Sequence, residues 1–175
     1  MLITGLDIAT SCGAADGVPG SRPRFWTWNL RKAGEGRPAR LALLMAYVMR
    51  YLDENRPDGV FYEAGMTMRV ALSVGATDET LAFLRGSIGV VEACCARAKV
   101  PTIQAVDVQA ARKHFTGRAS FPKGKSKGMV YSHCRALGWT PANQDESDAG
   151  AIFSYGCAQM DPRAAHLTAP LFGVR

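Results

Sequence analysis

The sequence predicts an α/β domain: a mixed five-stranded sheet with helices on both faces. Three short apolar segments separated by tight turns fill the first 30 residues, which is typical of an antiparallel meander. The rest of the chain alternates short apolar segments with helical patterns, and helical crossovers of this length join parallel strands. The 175 residues, 47% of them apolar and 21% charged, are enough to bury the core of one such domain.

Apolar content and turn residues define the three strands of the meander. Met1–Ala9 is apolar and ends in small residues, so it is expected to be a buried strand. Gly13–Val18 is a second short strand, closed by a Pro-Gly turn. In Arg24–Leu30, successive side chains are expected to point to opposite faces of a strand, which places Trp26 and Trp28 on the same face.

Two helical patterns and two strands follow. Arg37–Asn55 has apolar residues at helical spacing and is stopped by its terminal Asn and the following Pro. Asp58–Glu63 is a short strand that ends in a carboxylate. Thr77 is expected to cap a long helix that runs to about Lys99, before a fifth strand at Val100–Val106.

Three shorter helices complete the pattern. Asp107–Phe115 is expected to be capped by its own Asp, Lys127–Leu137 to end at a Gly, and Asp145–Met160 to be the last helix. A loop rich in Gly, Pro and Lys separates the first two of these helices. Residues 1–160 are expected to form the domain, and residues 161–175 a C-terminal tail.

The five cysteines predict neither a disulfide framework nor a zinc site. Their number is odd, two are adjacent, and no Cys-x-x-Cys spacing occurs, so buried free thiols are expected. No stretch approaches the ~20 continuous apolar residues of a membrane span, which predicts no membrane partner. The N-terminus has no basic region before its apolar segment, so a cytoplasmic location is expected.

The positive charge is concentrated in one stretch. The chain carries a net charge of +6, but residues 108–143 alone carry +7, because they contain no Asp or Glu. Such a block is typical of a surface that binds a polyanion, most often nucleic acid, although a solvated basic loop is the alternative. The basic residues of this stretch are Arg112, Lys113, Arg118, Lys123, Lys125, Lys127 and Arg135.

Four carboxylates stand in unusual places. Asp7 lies inside an apolar strand, where a carboxylate is costly unless it is paired or bound to a metal. Glu63 ends another apolar strand, and Asp145 and Asp148 are spaced to share one face of the last helix. Clustered carboxylates without His or Cys suit Mg²⁺, or Mn²⁺ as the alternative. Two such ions about 3.5–4 Å apart promote phosphodiester hydrolysis.

Each carboxylate also has an ordinary structural interpretation. Asp145 is a candidate N-cap, Asp148 a candidate partner of the helix dipole, and Glu63 a candidate surface residue. Asp7 is the hardest to explain in this way, because apolar residues surround it in the sequence. Together with the basic stretch, the four carboxylates favour a metal-dependent nuclease.

Four segments in this order resemble the RuvC-type Holliday-junction resolvases of the ribonuclease H-like superfamily. The opening G-L-D-I-A-T-S-C-G-A-A is similar to that family's G-[IL]-D-P-G-x-x-x-x-G, without its Pro-Gly. L-A-F-L-R-G-S-I-G-V-V resembles the L-x-x-x-R-G helix, and V-Q-A-A-R-K-H-F-T-G-R-A with the later K-G-M-V resembles V-K-x-x-x-x-G…K-x-x-V. D-E-S-D-A-G-A-I resembles D-A-A-D-A-L-A-I. The resemblance spans residues 1–160 and is that of a divergent or phage-like member.

The resemblance implies a ribonuclease H-like fold and a homodimer that cuts four-way junctions with two Mg²⁺ ions per site. The implied metal-binding and catalytic carboxylates are Asp7, Glu63, Asp145 and Asp148. Lys113 and Lys127 match the basic positions near the scissile phosphate, although the longer loop leaves Lys123 or Lys125 as alternatives to Lys127. Arg85 matches a position that faces DNA.

Two methionines are further candidates for DNA contact. Met66 and Met68 follow Glu63 in the sequence, and apolar side chains of this kind insert between bases in some complexes, although capping the core or a dimer contact is equally compatible. The predicted DNA-binding set is Arg85, Arg112, Lys113, Arg118, Lys123, Lys125, Lys127, Met66 and Met68.

Three alternative functions stay open, and so does the question of a helicase partner. The first two are a broader branched-DNA or flap endonuclease and a non-catalytic nucleic-acid-binding module on the same fold. The third, an actin-like sugar or acetate kinase, is disfavoured because such enzymes need two domains and this chain is too short.

Overall fold

The computed structural model describes residues 1–33, 36–65, 75–118, 121 and 126–163, without the side chains of residues 32 and 33. The described part contains a single five-stranded sheet in the order β3-β2-β1-β4-β5. Its strands are β1 (Ile3–Asp7), β2 (Ser11–Gly17), β3 (Arg24–Asn29), β4 (Gly59–Glu63) and β5 (Thr102–Val106).

The sheet is mixed, as the sequence predicts. β1 pairs antiparallel with β2, and β2 antiparallel with β3, so the first three strands are a meander. β1 and β5 each pair parallel with β4. The second strand begins earlier than expected, at Ser11, because Ser11 and Cys12 pair with Asn29 and Trp28.

The helices follow the predicted pattern closely. Their bounds are α1 (Arg37–Asn55), α2 (Asp78–Arg97), α3 (Val108–Thr116), α4 (Ser126–Ala136) and α5 (Gln144–Met160). A short 3₁₀ helix at Leu30–Ala33, which the sequence patterns do not predict, leads towards α1. None of the described helices combines the length and the apolarity that crossing a membrane would require.

Side-chain caps fix where three helices begin. Thr77 accepts a hydrogen bond from the backbone N–H of Thr80, and Asp107 accepts one from Ala110, both as expected. The cap of α5 is Asn143, which accepts from Glu146 N–H. The interpretation of Asp145 as only an N-cap is therefore wrong.

The two faces of the sheet carry separate cores. Leu6 packs with residues of α1 and α2 on one face, whereas Ile3 packs with residues of α3, α4 and α5 on the other. Because side chains alternate along a strand, Gly5 and Asp7 share the second face with Ile3. The five cysteines are buried and free, as predicted.

Candidate active site

Two carboxylates meet at the ends of neighbouring parallel strands. Asp7 ends β1 and Glu63 ends β4, and the pairing of Leu6 with Tyr62 places these ends side by side. Both side chains point to the face that carries α5, since Ile3 and Phe61 pack there. Asp7 is only 6% exposed, and Glu63 is half-buried. The sequence prediction that these strand ends lie together is confirmed.

Asp7 lies in surroundings that oppose its negative charge. Burial raises the pKa of Asp7 well above its ordinary value, and a hydrogen bond and negative charge from Glu63 raise it further. The charge of Asp148 acts in the same direction, while that of Lys127 opposes it. The Asp7–Glu63 pair is therefore stable when it holds a proton or when a cation lies beside it.

Two glycines in the strands bring α5 against this pair. A Cβ atom added at Gly5 would lie 2.4 Å from the carbonyl oxygen of Ala149, and one at Gly13 would lie 2.1 Å from that of Asp145. The start of α5 therefore lies directly on the backbone of β1 and β2. The small residues 149–151 predict that this end of the helix lies close to the sheet, and the strand glycines, which the sequence patterns do not identify, form the other side of the contact.

Asp145 and Asp148, at the start of α5, are held by two cationic side chains. Arg112 of α3 donates to both oxygens of Asp148, at 3.3 Å and 2.9 Å. Lys127 of α4 places its Nζ 2.9 Å from Asp145 Oδ1 and 3.7 Å from Asp148 Oδ2. Burial alone would lower the pKa of Lys127, but its hydrogen bond to Asp145 and the surrounding carboxylates raise it. Lys127 therefore stays charged.

These groups surround a cleft of 370 Å³. One side is polar, and the other is apolar and comes mainly from α2. The cleft is large enough for one nucleotide-sized group. Its lining residues are Asp7, Ile8, Ala9, Thr10, Glu63, Ala64, Gly65, Thr80, Phe83, Leu84, Ile88, Arg112, Lys127 and Asp148.

The predicted basic residues are distributed unevenly around the cleft. Arg112 and Lys127 line it, whereas the adjacent Lys113 is exposed, and no ion pair joins it to a carboxylate in the described part of the chain. Arg85 and Arg118 are exposed outside the cleft lining. The predicted positions that lie outside the described residues are Lys123, Lys125, Met66 and Met68.

Glu146 is a supporting residue that was not among the predicted site residues. It is 5% exposed, accepts hydrogen bonds from Thr27 Oγ1 at 2.7 Å and from Ala142 N–H at 2.6 Å, and so ties the start of α5 to β3. Asn143 three residues before Glu146 resembles a capping box, which is the sequence signal that indicates this role. Glu146 thereby orients the turn that carries Asp145 and Asp148.

The donor set fits a divalent cation. All four side chains offer hard oxygen ligands, and among the described residues Lys127 is the cation whose charge favours the ionised form of Asp7. Within the described residues, no three acidic, His or Cys side chains are arranged to hold an ion together. Two of the four carboxylates instead contact Arg112 and Lys127.

The chain resembles solved structures of Holliday-junction resolvases over nearly its whole length. It matches the Thermus thermophilus RuvC structure with a TM-score of 0.62 and 20% identity, covering 91% of this chain and 96% of that chain. For T. thermophilus RuvC in complex with Holliday junction substrate, the TM-score is 0.66 and the identity 22%, with the same coverage. For the yeast mitochondrial Holliday junction resolvase Ydc2, they are 0.62 and 14%, covering 95% of this chain and 81% of that chain.

The sequence itself matches no family model and no curated protein. The structural likeness confirms the ribonuclease H-like fold that the sequence resemblance implies.

Proposed function

We propose that this chain is a divalent-metal-dependent DNA endonuclease that resolves four-way junctions. The observation that carries the proposal is the convergence of Asp7, Glu63, Asp145 and Asp148 on one face of the sheet, beside a stretch with seven basic and no acidic residues. One matched structure is a RuvC in complex with Holliday junction substrate, which supports branched DNA as the ligand.

Each part of the cleft has a distinct role in this proposal. The four carboxylates would hold Mg²⁺ or Mn²⁺, two ions per site, and such ions supply an activated water and stabilise the leaving oxygen. Arg112 and Lys127 donate to the scissile phosphate, since both line the cleft and both stay charged. The apolar side chains of α2 exclude bulk water from one side, which strengthens these charged contacts.

The decisive test is cleavage of three matched DNA substrates. A synthetic four-way junction, a flap and a linear duplex are each incubated with the protein in Mg²⁺ and in chelator. Paired, symmetric cuts in the junction alone, abolished by chelator, are the expected result. Cleavage of flap and junction at similar rates would favour the broader branched-DNA nuclease. Binding to the junction with no cleavage in any metal would favour the non-catalytic binding module.

The basic stretch predicts DNA binding that weakens steeply with salt. If several of its cations contact phosphates, each contact releases condensed counterions from the DNA. With six contacts, affinity should fall by about a thousandfold between 50 and 200 mM salt. Fluorescence anisotropy of a labelled junction in chelator measures this slope. An affinity that does not respond to ionic strength would remove the stretch from the DNA interface.

Lys127 and Lys113 should differ in what their loss changes. Lys127 contacts Asp145 inside the cleft, so Lys127→Ala should reduce the single-turnover rate by about 10²–10³-fold, more than it reduces affinity. Lys113 is exposed and does not line the cleft, so Lys113→Ala should mainly reduce affinity. Measuring rate and affinity separately for both variants checks this. Equal rate losses would place Lys113 at the scissile phosphate, as the sequence resemblance implies.

A homodimer is expected because the substrate is nearly two-fold symmetric and one chain carries one carboxylate set. The sequence predicts that part of the apolar stripe of the helix after Thr77 covers the sheet and that the rest, with Met68 and Leu72, meets the second copy. Leu81 and Val91 are buried in the protein, and Leu84 and Ile88 line the cleft. Met68 and Leu72 lie outside the described residues. Light scattering at micromolar concentration should give twice the chain mass of 18.8 kDa. A monomer that makes only uncoupled nicks in a cruciform plasmid would contradict the resolvase proposal.

A further inference from the structure

Arg112 and Lys127 occupy the carboxylates that a metal ion would need. Arg112 is 17% exposed and holds both oxygens of Asp148, whose side chain is 3% exposed. Lys127 bridges Asp148 and Asp145 from the adjacent helix. In this arrangement, each of the two aspartates has at least one oxygen engaged by a protein cation.

These contacts compete with metal binding. An oxygen that accepts a charge-assisted hydrogen bond at 2.9 Å is a poorer ligand, and a fixed cation beside it repels a second one. Consistent with this, the described residues contain no ready group of three acidic, His or Cys ligands. Arg112 cannot release Asp148 by losing its proton, because guanidinium stays protonated in proteins. Release therefore requires another anion that attracts Arg112.

Such an anion has a place to bind. Both cations line the same cleft as Asp7 and Glu63, and the phosphodiester of a DNA strand entering it offers acceptor oxygens to a guanidinium fork and to an ammonium group. A phosphate that draws Arg112 and Lys127 towards itself frees Asp148 and Asp145 at the moment when the substrate is in position.

We propose that Arg112 and Lys127 keep Asp148 and Asp145 from binding a metal ion until a DNA phosphate enters the cleft, so that substrate and metal bind cooperatively. Arg112 is the main positioning residue, because its contact with Asp148 is the more buried one. This inference rests on the proposed function, since it takes DNA and a divalent ion as the two ligands. Linkage then requires that each ligand raise the affinity of the other by the same factor, commonly about 5–150-fold.

The first test uses the DNA-free protein. Ca²⁺, which takes oxygen ligands as Mg²⁺ does, is titrated calorimetrically into the wild type, Arg112→Gln and Arg118→Gln. Arg118 is exposed beyond the end of the same helix, so its variant loses the same charge without releasing Asp148. Arg112→Gln should bind Ca²⁺ at least about fivefold more tightly than both other proteins. Equal affinities of the two variants would overturn the proposal.

A second variant, which keeps the positive charge, decides the question even if Arg112→Gln does not fold. Arg112→Lys retains the positive charge but cannot contact both oxygens of Asp148 in a planar fork. Its Ca²⁺ affinity should lie between those of the wild type and Arg112→Gln. If Arg112→Gln does not fold, as judged by its thermal transition, Arg112→Lys decides alone, and wild-type affinity in it would overturn the proposal.

The second test measures the coupling from the DNA side. Anisotropy of a labelled four-way junction is recorded with Ca²⁺ and with chelator at equal ionic strength. Ca²⁺ should tighten junction binding by the wild type about tenfold, and by Arg112→Gln much less. The same tightening in both proteins would overturn the inference. If the wild type does not bind the junction at all, the proposed function fails, while the DNA-free titration still decides whether Arg112 restrains Asp148.

Discussion

Replacing Asp7 with Asn should abolish junction cleavage and leave junction binding nearly intact. Asp7 is 6% exposed at the end of β1, in contact with Glu63 and close to Asp148, so the substitution removes a carboxylate of the proposed metal site without touching a basic residue. A divalent ion contributes several kcal/mol to the transition state, so the single-turnover rate should fall by at least about a thousandfold. Cleavage in Mg²⁺ and anisotropy in chelator measure the two properties separately.

Asp53→Asn is the matched control for this substitution. Asp53 is an exposed carboxylate on α1, outside the residues that line the cleft, and its variant should cleave at the wild-type rate. Cleavage by Asp7→Asn within about tenfold of wild type would remove Asp7 from the active site. Loss of binding together with cleavage would instead indicate a folding defect.

The same variant should be more stable than the wild type when metal is absent. The pKa of Asp7 is raised in the folded protein, so above the ordinary pKa of Asp the unfolded chain releases a proton that the folded protein keeps. This difference costs stability progressively as pH rises. Asn removes that cost, and metal-free Asp7→Asn should unfold at a higher temperature than the wild type at pH 8. Thermal unfolding of both proteins in chelator at pH 8 checks this, and a lower transition temperature for Asp7→Asn would contradict it.

The carboxylates at the strand ends were predictable from the sequence because strand geometry is simple. Apolar segments separated by helical crossovers require parallel neighbours, and parallel strands bring their carboxyl ends to one edge of the sheet. The register of β1 and β4 then places Asp7 beside Glu63. The spacing of Asp145 and Asp148 likewise predicts that both lie on one side of α5, and both contact Lys127.

The basic residue at the carboxylates was harder to predict, because two cations are adjacent in α3. Family motifs point to Lys113, but Arg112 is the one that faces Asp148. Neighbouring residues on a helix differ in direction by about 100°, so packing decides between them. Ala111 and Phe115 are the buried residues of α3, and their burial turns Arg112 inward and leaves Lys113 in solvent. Periodicity of the apolar residues thus indicates which of the two cations faces Asp148, while the role of Lys113 in cleavage stays a prediction.

The strand glycines show why close contacts between a helix and a sheet are hard to predict from the sequence. Small residues in α5 suggest a tight fit of the helix, yet the added Cβ of Gly150 would meet only side chains, Phe25 and Trp139. The backbone-to-backbone contacts occur at Gly5 and Gly13, which sit in strands where glycine has no obvious purpose in the sequence. Which glycine meets another element depends on the packing of distant segments, and a local pattern does not encode it.

Gly13→Ala should therefore destabilise the protein and displace the two carboxylates at the start of α5, Asp145 and Asp148, together. Gly13 pairs with Asp7 in the sheet, and a methyl group there would lie 2.1 Å from the carbonyl oxygen of Asp145 and 2.7 Å from Glu146 N. Backbone cannot move aside as a flexible side chain does, so α5 must shift away from the sheet. The free energy of unfolding should fall by about 3 kcal/mol or more, and cleavage should be lost below the unfolding temperature.

Gly89→Ala is the matched control, because Gly89 lies on α2 and no described atom outside the backbone of that helix lies within 4 Å of the added methyl group. Alanine is the better helix former, so this variant should gain about 0.5–1 kcal/mol and cleave at the wild-type rate. Urea unfolding and single-turnover cleavage of both variants give the comparison. Wild-type stability in Gly13→Ala would mean that α5 does not lie against β2 as described. Reduced stability with full cleavage would mean that the position of Asp145 and Asp148 is not set by this contact.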